Sequence, residues 1–412
     1  MRSNTSTRPL RHCMVVYAAY PHYETRVQRE AEALVARGHE VDVICPQLQI
    51  EDSTGQHHGV NIYRVKMSWG RKKNLAGQFG QYIRFFLQAT GKLISLNFKR
   101  HYDAVQTHNL PDFLVFSAII PKWMGARVIL DLHDLMPEFY QVKFQQNSKK
   151  LLSRLVYLQE RLSCRFANRV ITVTEHWRQT LIKRGVAPDK CSVVMNLADT
   201  RVFHPITHEE RAMKDPTRFC LFYHGDMPQR YGLDLVLRAM AQVRGEIPNI
   251  QFKLVGGGQY LEELKRLTHE LNLEKQVEFI GGQPVEKLPG LIATADVAVV
   301  PYRNDIFTDS LMPTKLMEYA VEGIPTIVAR TTAISAYFPD EMVEYFKPGD
   351  VDDLVRSILR LYRDPQRCED LGRAIRTFNE RYNWVDESAK YVAIVEELCT
   401  QRVNMLVADL EK

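Results

Sequence analysis

At 412 residues the chain is longer than one hydrophobic core commonly supports, so two domains of roughly 200 residues each are expected. A composition of 45% hydrophobic and 25% charged residues excludes a disordered chain. Seven scattered cysteines with no C-x-x-C pair exclude a zinc module and a disulfide framework. The net charge of +5 hides a split, with 28 Lys+Arg against 16 Asp+Glu in residues 1–200 and 26 against 33 in the remainder.

In chain order, the apolar run Cys13 to Tyr17 reads as a buried parallel strand. Thr25 to Ala36 follows as a helix with Val27, Ala31, Leu34 and Val35 on one face. Strands at Val41–Cys45, Ala104–Thr107, Arg127–Leu130 and Val170–Val173 alternate with helices near Phe113–Trp123 and Lys149–Phe166. A second cycle has strands at Phe219–Tyr223, Phe252–Val255, Val277–Ile280, Val297–Val300 and Pro325–Val328. Its helices are expected at Leu233–Val243, Tyr260–Leu271, Glu286–Ala293 and Thr314–Val321. Repeated β-α units with buried strands predict two doubly wound parallel sheets. Asn196 to Pro216, without clear periodicity, is expected to be the linker beside an interdomain cleft.

Three turns carry the chemistry. Tyr223 to Asp234 leaves a strand and enters a helix, where Gly225 and Gly232 let backbone N–H groups approach an anion and Arg230 supplies charge. A surface loop with a solvated arginine is the competing reading. Gly256, Gly257 and Gly258 admit a phosphate or ribose, although a tight structural turn explains them as well, and the G-x-G-x-x-G fingerprint fails at Leu261. Pro313 and Thr314 open a helix that carries Lys315 in its first turn and Glu318 one turn on. A cation there is locally unfavourable unless an anion binds, with Lys315 on phosphate and Glu318 on a ribose diol. A Lys315–Glu318 surface pair is the alternative, with Leu316, Met317 and Ala320 as core.

In the first half, His133 leaves the strand Ile129–Leu132 at the same kind of sheet edge and could meet a sugar hydroxyl; His108 has a weaker claim. The signatures of Walker ATPases, zinc proteases and serine hydrolases are missing, and Asp350-Val351-Asp352 is explained by helix capping better than by metal.

Together these segments resemble the family four retaining nucleotide-sugar glycosyltransferases. The likeness runs through Arg37-Gly38-His39-Glu40-Val41, the His133 turn, Tyr223-His224-Gly225, Arg230-Tyr231-Gly232, Val255 to Gly258, Pro313 to Tyr319, Phe346 to Asp350 and Tyr382-Asn383-Trp384. The resemblance implies the GT-B fold, α/β, with two Rossmann-like doubly wound domains facing each other across a cleft. These would be an acceptor-side domain over 1–200 and a nucleotide-sugar domain over 201–383, with a last helix near 384–412 crossing back to the first. It implies His133, Arg230 and Lys315 as catalytic residues. The donor would lie against Gly225, Arg230, Gly256, Gly257, Gly258, Gly282, Gln283, Ser310, Pro313, Lys315, Leu316 and Glu318, with no metal and no cofactor. Two departures stand out. Ser310 occupies the place of the family's first glutamate in Glu-x7-Glu, leaving Asp309 or Ser310 to replace it, and the turn Ala19 to Arg26 lacks the usual glycine pair.

The reaction expected is sugar transfer with retention from a nucleoside-diphosphate sugar to a glycan or lipid-linked acceptor. A nucleotide-sugar epimerase or a catalytically degenerate sugar-nucleotide binder are the alternatives. Scattered cysteines and the lack of a signal or spanning segment predict a cytoplasmic protein. No acidic residue lies between Asp52 and Asp103. Lys72, Lys73, Arg84, Lys92 and Lys99 there flank Phe79, Tyr82, Phe85, Phe86, Leu87 and Ile94, which predicts peripheral contact with an anionic membrane and not with nucleic acid.

Overall fold

The computed structural model describes residues 8–21, 24–47, 51–67, 75–143 and 150–410. The cationic run Arg71, Lys72 and Lys73 lies outside them. The chain divides into two compact units, Met1–Asn196 together with Val385–Lys412, and Leu197–Trp384.

The first unit holds strands β1 (Arg11–Val15), β2 (Glu40–Pro46), β3 (Thr54–His57), β4 (Val60–Val65), β5 (Ala104–His108), β6 (Arg127–Leu132), β7 (Arg169–Thr172) and β8 (Cys191–Val193). Their order across the sheet is β3-β4-β2-β1-β5-β6-β7-β8, and every neighbouring pair is parallel except β3 with β4. The central strands are apolar because helices cover both of their faces. The β3–β4 hairpin has no counterpart among the expected strands. Its first strand, Thr-Gly-Gln-His, has no apolar alternation, and its turn rests on His58 at φ 46° and Gly59 at φ 82°.

The helix Leu75–Arg100 buries Phe85, Ala89, Leu93 and Leu96, four positions along one stripe. The expected helix near 113–123 is a 3-10 turn over Asp112–Ala118 followed by the short helix Ile119–Trp123. The last helix, Trp384–Leu410, belongs to this unit. In it the Tyr391 hydroxyl donates to Gln106 Oε1 at 2.7 Å, and Glu387 Oε2 accepts the Met195 amide at 2.8 Å.

The second unit holds β9 (Phe219–Asp226), β10 (Ile250–Gly257), β11 (Val277–Gly281), β12 (Val297–Val300), β13 (Thr326–Ala329) and β14 (Glu344–Phe346), all parallel, in the order β11-β10-β9-β12-β13-β14. In sequence terms this is the 3-2-1-4-5-6 order of a dinucleotide-binding sheet, whose direction of winding reverses between β9 and β12. The first sheet reverses in the same way between β1 and β5. Within the segment expected to be a linker, His208–Ala212 forms one helical turn, closed by a capping box between Thr207 and Glu210. Asp350 accepts the amide of Asp353 and so caps the helix Val351–Arg363, as its sequence suggests.

Candidate functional site

The carboxyl ends of β9 and β12 and the amino end of the helix Thr314–Glu322 converge at the reversal point of the second sheet. Lys315, in that helix's first turn, is buried, and its Nζ donates to the Tyr302 hydroxyl at 3.1 Å. Three rings surround the ammonium, with Nζ 5.2 Å from the centroid of Tyr223, 5.0 Å from Tyr231 and 5.4 Å from Tyr302. Burial lowers its pKa, while Tyr231, Glu318 and Asp226 act in the opposite direction. Tyr231 stacks on Tyr302 at 4.4 Å, and the Arg230 guanidinium lies 5.4 Å from the Tyr231 ring and 5.2 Å from Phe307. Two cations therefore lie against one aromatic pair.

The glycines divide by what a side chain would meet. A Cβ at Gly256 would stand 2.2 Å from the Gly225 carbonyl oxygen. One at Gly258 would stand 2.6 Å from Asp226 Oδ1, and one at Gly232 only 2.0 Å from the Pro301 oxygen. Those three serve the close approach of β9, β10 and β12. Gly257 meets nothing within 4 Å, and Gly225, at φ 115°, would meet only the Lys315 side chain at 3.2 Å. Gly225 thus lies beside the ammonium, and Gly257 opens on free space.

Glu318 is held by a residue absent from the expected set. His224 Nε2 lies 2.6 Å from Glu318 Oε2, and its Nδ1 lies 3.0 Å from the Tyr319 hydroxyl. The ring can donate from Nε2 to the carboxylate and accept at Nδ1 from the hydroxyl. The competing Lys315–Glu318 surface pair is not formed, since Lys315 is buried on Tyr302.

The other expected donor residues fare differently. Pro313 opens the helix, and Gly282 and Gln283 follow β11, with Gln283 Nε2 3.4 Å from the Ile280 oxygen. The Leu316 side chain is wholly buried, and its amide donates to the Pro313 oxygen at 3.1 Å. Ser310 is buried, with its hydroxyl 3.0 Å from the Phe307 oxygen, and Asp309 Oδ1 accepts the Thr332 amide at 2.9 Å. Both candidates for the missing glutamate are therefore engaged with backbone.

In the first unit His133 follows β6, its amide donating to Asn109 Oδ1 at 3.0 Å. Its Nδ1 lies 3.9 Å from Asp131 Oδ2. Burial opposes a charge on this ring, but Asp131, Glu24 and Asp134 outweigh it and raise the pKa to about 9. Asp131 is itself wholly buried and bound by Arg26 through both oxygens, at 2.8 and 3.0 Å, with His108 Nδ1 at 3.0 Å. Burial alone would raise the Asp131 pKa, yet Arg26 and the two histidines hold it well below the carboxylate range. Arg26 also pairs with buried Glu30 at 3.0 Å. His108, Asp131 and His133 could together ligate a metal ion, and so could Glu32, His57 and His58. In the first group Arg26 already supplies a cation to both oxygens of Asp131.

The sequence reading missed His224 beside Glu318, Tyr231 and Tyr302 beside Lys315 and Arg230, and Arg26 and Asp131 next to His133. Tyr302 sits two residues past β12, where the rule that ligands gather at strand carboxyl ends would have found it.

Residues 23–202 match the model of Glycosyltransferase Family 4, and residues 207–378 match that of Glycosyl transferases group 1. A GDP-mannose-dependent alpha-(1-6)-phosphatidylinositol monomannoside mannosyltransferase of Mycolicibacterium smegmatis is 29% identical over 173 residues, 40% of this chain and 44% of that protein. The sulfoquinovosyl transferase SQD2 of Arabidopsis thaliana is 24% identical over 286 residues, 66% of this chain and 52% of that protein. The aligned part thus spans about half the length of these relatives. Among solved structures, sucrose-phosphate synthase from Thermosynechococcus elongatus superposes with a TM-score of 0.79 at 20% identity, over 95% of this chain and 100% of that one. HepE of Anabaena in complex with UDP-glucose gives 0.72 at 16% identity, over 94% and 100%. These likenesses show the fold, GT-B with two Rossmann-like parallel-sheet domains. With its two halves matched in order by the paired glycosyltransferase models, the chain belongs to the family four type of glycosyltransferases.

Proposed function

We propose that the protein transfers a sugar, with retention at the anomeric carbon, from a nucleoside-diphosphate sugar to a glycan or lipid-linked acceptor. The observation that carries this reading is Lys315. An ammonium buried among three tyrosine rings, beside Gly225, is costly unless an anion completes it. A diphosphate fits, with Arg230, also beside the Tyr231 ring, as the second cation. Those two charges and the helix terminus would stabilise the departing diphosphate without a metal ion. Glu318, oriented by His224 through one oxygen, has the other for the ribose hydroxyls. His133, charged at neutral pH, would contact the donor sugar.

The named relatives use different donors: the mycobacterial one is called GDP-mannose-dependent, and HepE was solved with UDP-glucose. The test is therefore a panel of UDP-, GDP- and ADP-sugars, read first by thermal shift and then by hydrolysis and transfer. A donor that stabilises the protein and is slowly hydrolysed or transferred supports the proposal. Conversion of the donor to its epimer would replace it with the epimerase reading, and binding without turnover would leave only a sugar-nucleotide binder. A cytoplasmic site of action, peripheral to an anionic membrane where a lipid-linked acceptor would be met, completes the proposal.

A further inference from the structure

The helix Lys150–Phe166 turns Val156, Glu160, Ser163 and Cys164 inward. Its outer face carries two adjacent rows. Leu155, Leu158 and Leu162 are 50%, 49% and 48% exposed, at spacings of three and four, and Arg154, Arg161 and Arg165 are exposed beside them. A single exposed leucine needs no explanation, but a row of three along one helix does.

The row has company. The helix Leu75–Arg100, the segment Asp112–Trp123 and the helix Lys150–Phe166 lie in the successive connections from β4 to β5, β6 and β7, which step in one direction along the sheet. Right-handed crossovers put all three on one face. Ring contacts tie them together: Phe113 lies 6.1 Å from Phe79 and 5.8 Å from Phe86, and Phe116 lies 5.1 Å from Phe166. Exposed Leu87, Phe98 and Trp123 stand on these elements too, Trp123 at 76%. Of the aromatic residues expected to face outward, Phe85 is instead core.

Charge selects the partner. Residues 53–174 contain 18 Lys+Arg and six Asp+Glu, and five of those six, Asp103, Asp112, Asp131, Glu138 and Glu160, are buried. Glu160, the carboxylate of the leucine-bearing helix, is turned in onto Arg184 at 2.9 Å. Among the described residues of this stretch the outward charge is thus almost wholly cationic. No helix among the described residues is long and apolar enough to cross a membrane, so any lipid contact must be interfacial. The apolar side chains are spread over three elements and not gathered at one anchor point, which suits a fluid surface better than a shaped protein epitope.

We propose that this face docks on an anionic lipid bilayer, with Leu155, Leu158 and Leu162 entering the headgroup layer and Arg154, Arg161 and Arg165 meeting lipid phosphates. This deepens the membrane contact proposed above and is independent of sugar transfer. Each basic residue at such a surface strengthens binding about fivefold, and three half-exposed leucines together add at least about tenfold.

The full chain is sedimented with vesicles of phosphatidylcholine alone and of phosphatidylcholine with an equal part of phosphatidylglycerol. Wild type binds the second and not the first, and salt weakens it. The triple variant Leu155→Ser, Leu158→Ser, Leu162→Ser loses at least about tenfold in binding while its melting temperature holds, and Leu158→Trp shows blue-shifted emission on adding anionic vesicles. A triple serine variant that binds like wild type would overturn the leucine row while leaving an electrostatic membrane contact standing. Failure of wild type to bind either vesicle would overturn both. A stable dimer dissolved by the serine changes would overturn it in favour of a second copy as the occupant.

Discussion

Replacing Lys315 by methionine separates what its charge does for the ligand from what it costs the fold. Methionine keeps an unbranched side chain of similar length against Tyr223, Tyr231 and Tyr302 and removes the buried ammonium. A charge-assisted contact to phosphate is worth roughly 1.5–3 kcal/mol, so diphosphate affinity should fall about 10- to 150-fold. At a ligand concentration 100 times the wild-type Kd, binding stabilises wild type by about 2.7 kcal/mol. The variant at the same concentration should gain only about 0.3–1.4 kcal/mol. Without ligand the order reverses, because burial depresses the lysine pKa and the unfolded chain holds that proton more tightly. Wild-type stability should therefore rise as pH climbs from the folded-state pKa toward the ordinary lysine value, and the methionine variant should lack that rise. Differential scanning calorimetry with and without UDP or GDP reads both effects. A Lys315→Met protein with the full ligand-induced shift would refute the phosphate assignment.

The glycines make a paired test: Gly256→Ala should destabilise by about 3 kcal/mol through collision with the Gly225 carbonyl, whereas Gly257→Ala should melt like wild type but bind donor more weakly; equal melting points would dismiss the contrast. Glu318→Gln should cost more in binding a ribonucleotide than its 2′-deoxy analogue, and equal losses by calorimetry would return Glu318 to a purely structural role beside His224. His133→Ala should lower turnover more than diphosphate affinity. The raised pKa of His133 adds stability that is complete below about 6.5 and fades as pH rises through about 9, so stability should fall across that window in wild type and not in the alanine variant; parallel pH profiles would deny the charge.

What the sequence disclosed and what it withheld follow from contact range. Strands β1, β2, β9 and β12 announce themselves as local apolar runs, and the helix Thr25–Ala36 by its stripe. Lys315 was legible because its oddity is local: a cation in a first turn that lacks acidic residues. The tyrosines around it were not, since Tyr223, Tyr231 and Tyr302 come from three separate segments that only the parallel sheet order brings together. The β3–β4 hairpin and the turn at His208–Ala212 stayed hidden for a different reason. Their stabilising features are backbone dihedrals and a capping box, which leave no hydrophobic period.

The first unit poses the same problem more sharply, for His133 could be seen and its support could not. Arg26 reaches Asp131 across 105 positions of sequence, and no local pattern marks either as buried. Yet the pair decides what His133 can be. If Asp131 were free of Arg26, its negative charge would be shared by His108 and His133 and the group could take up a metal ion. With Arg26 on both its oxygens, it remains a screened acceptor, strong enough with Glu24 and Asp134 to keep the ring protonated at neutral pH. A charged His133 can donate from both nitrogens but cannot act as a base until it loses a proton. The geometry thus favours a role in hydrogen-bonding an electron-rich oxygen of a sugar over one in abstracting a proton from an acceptor.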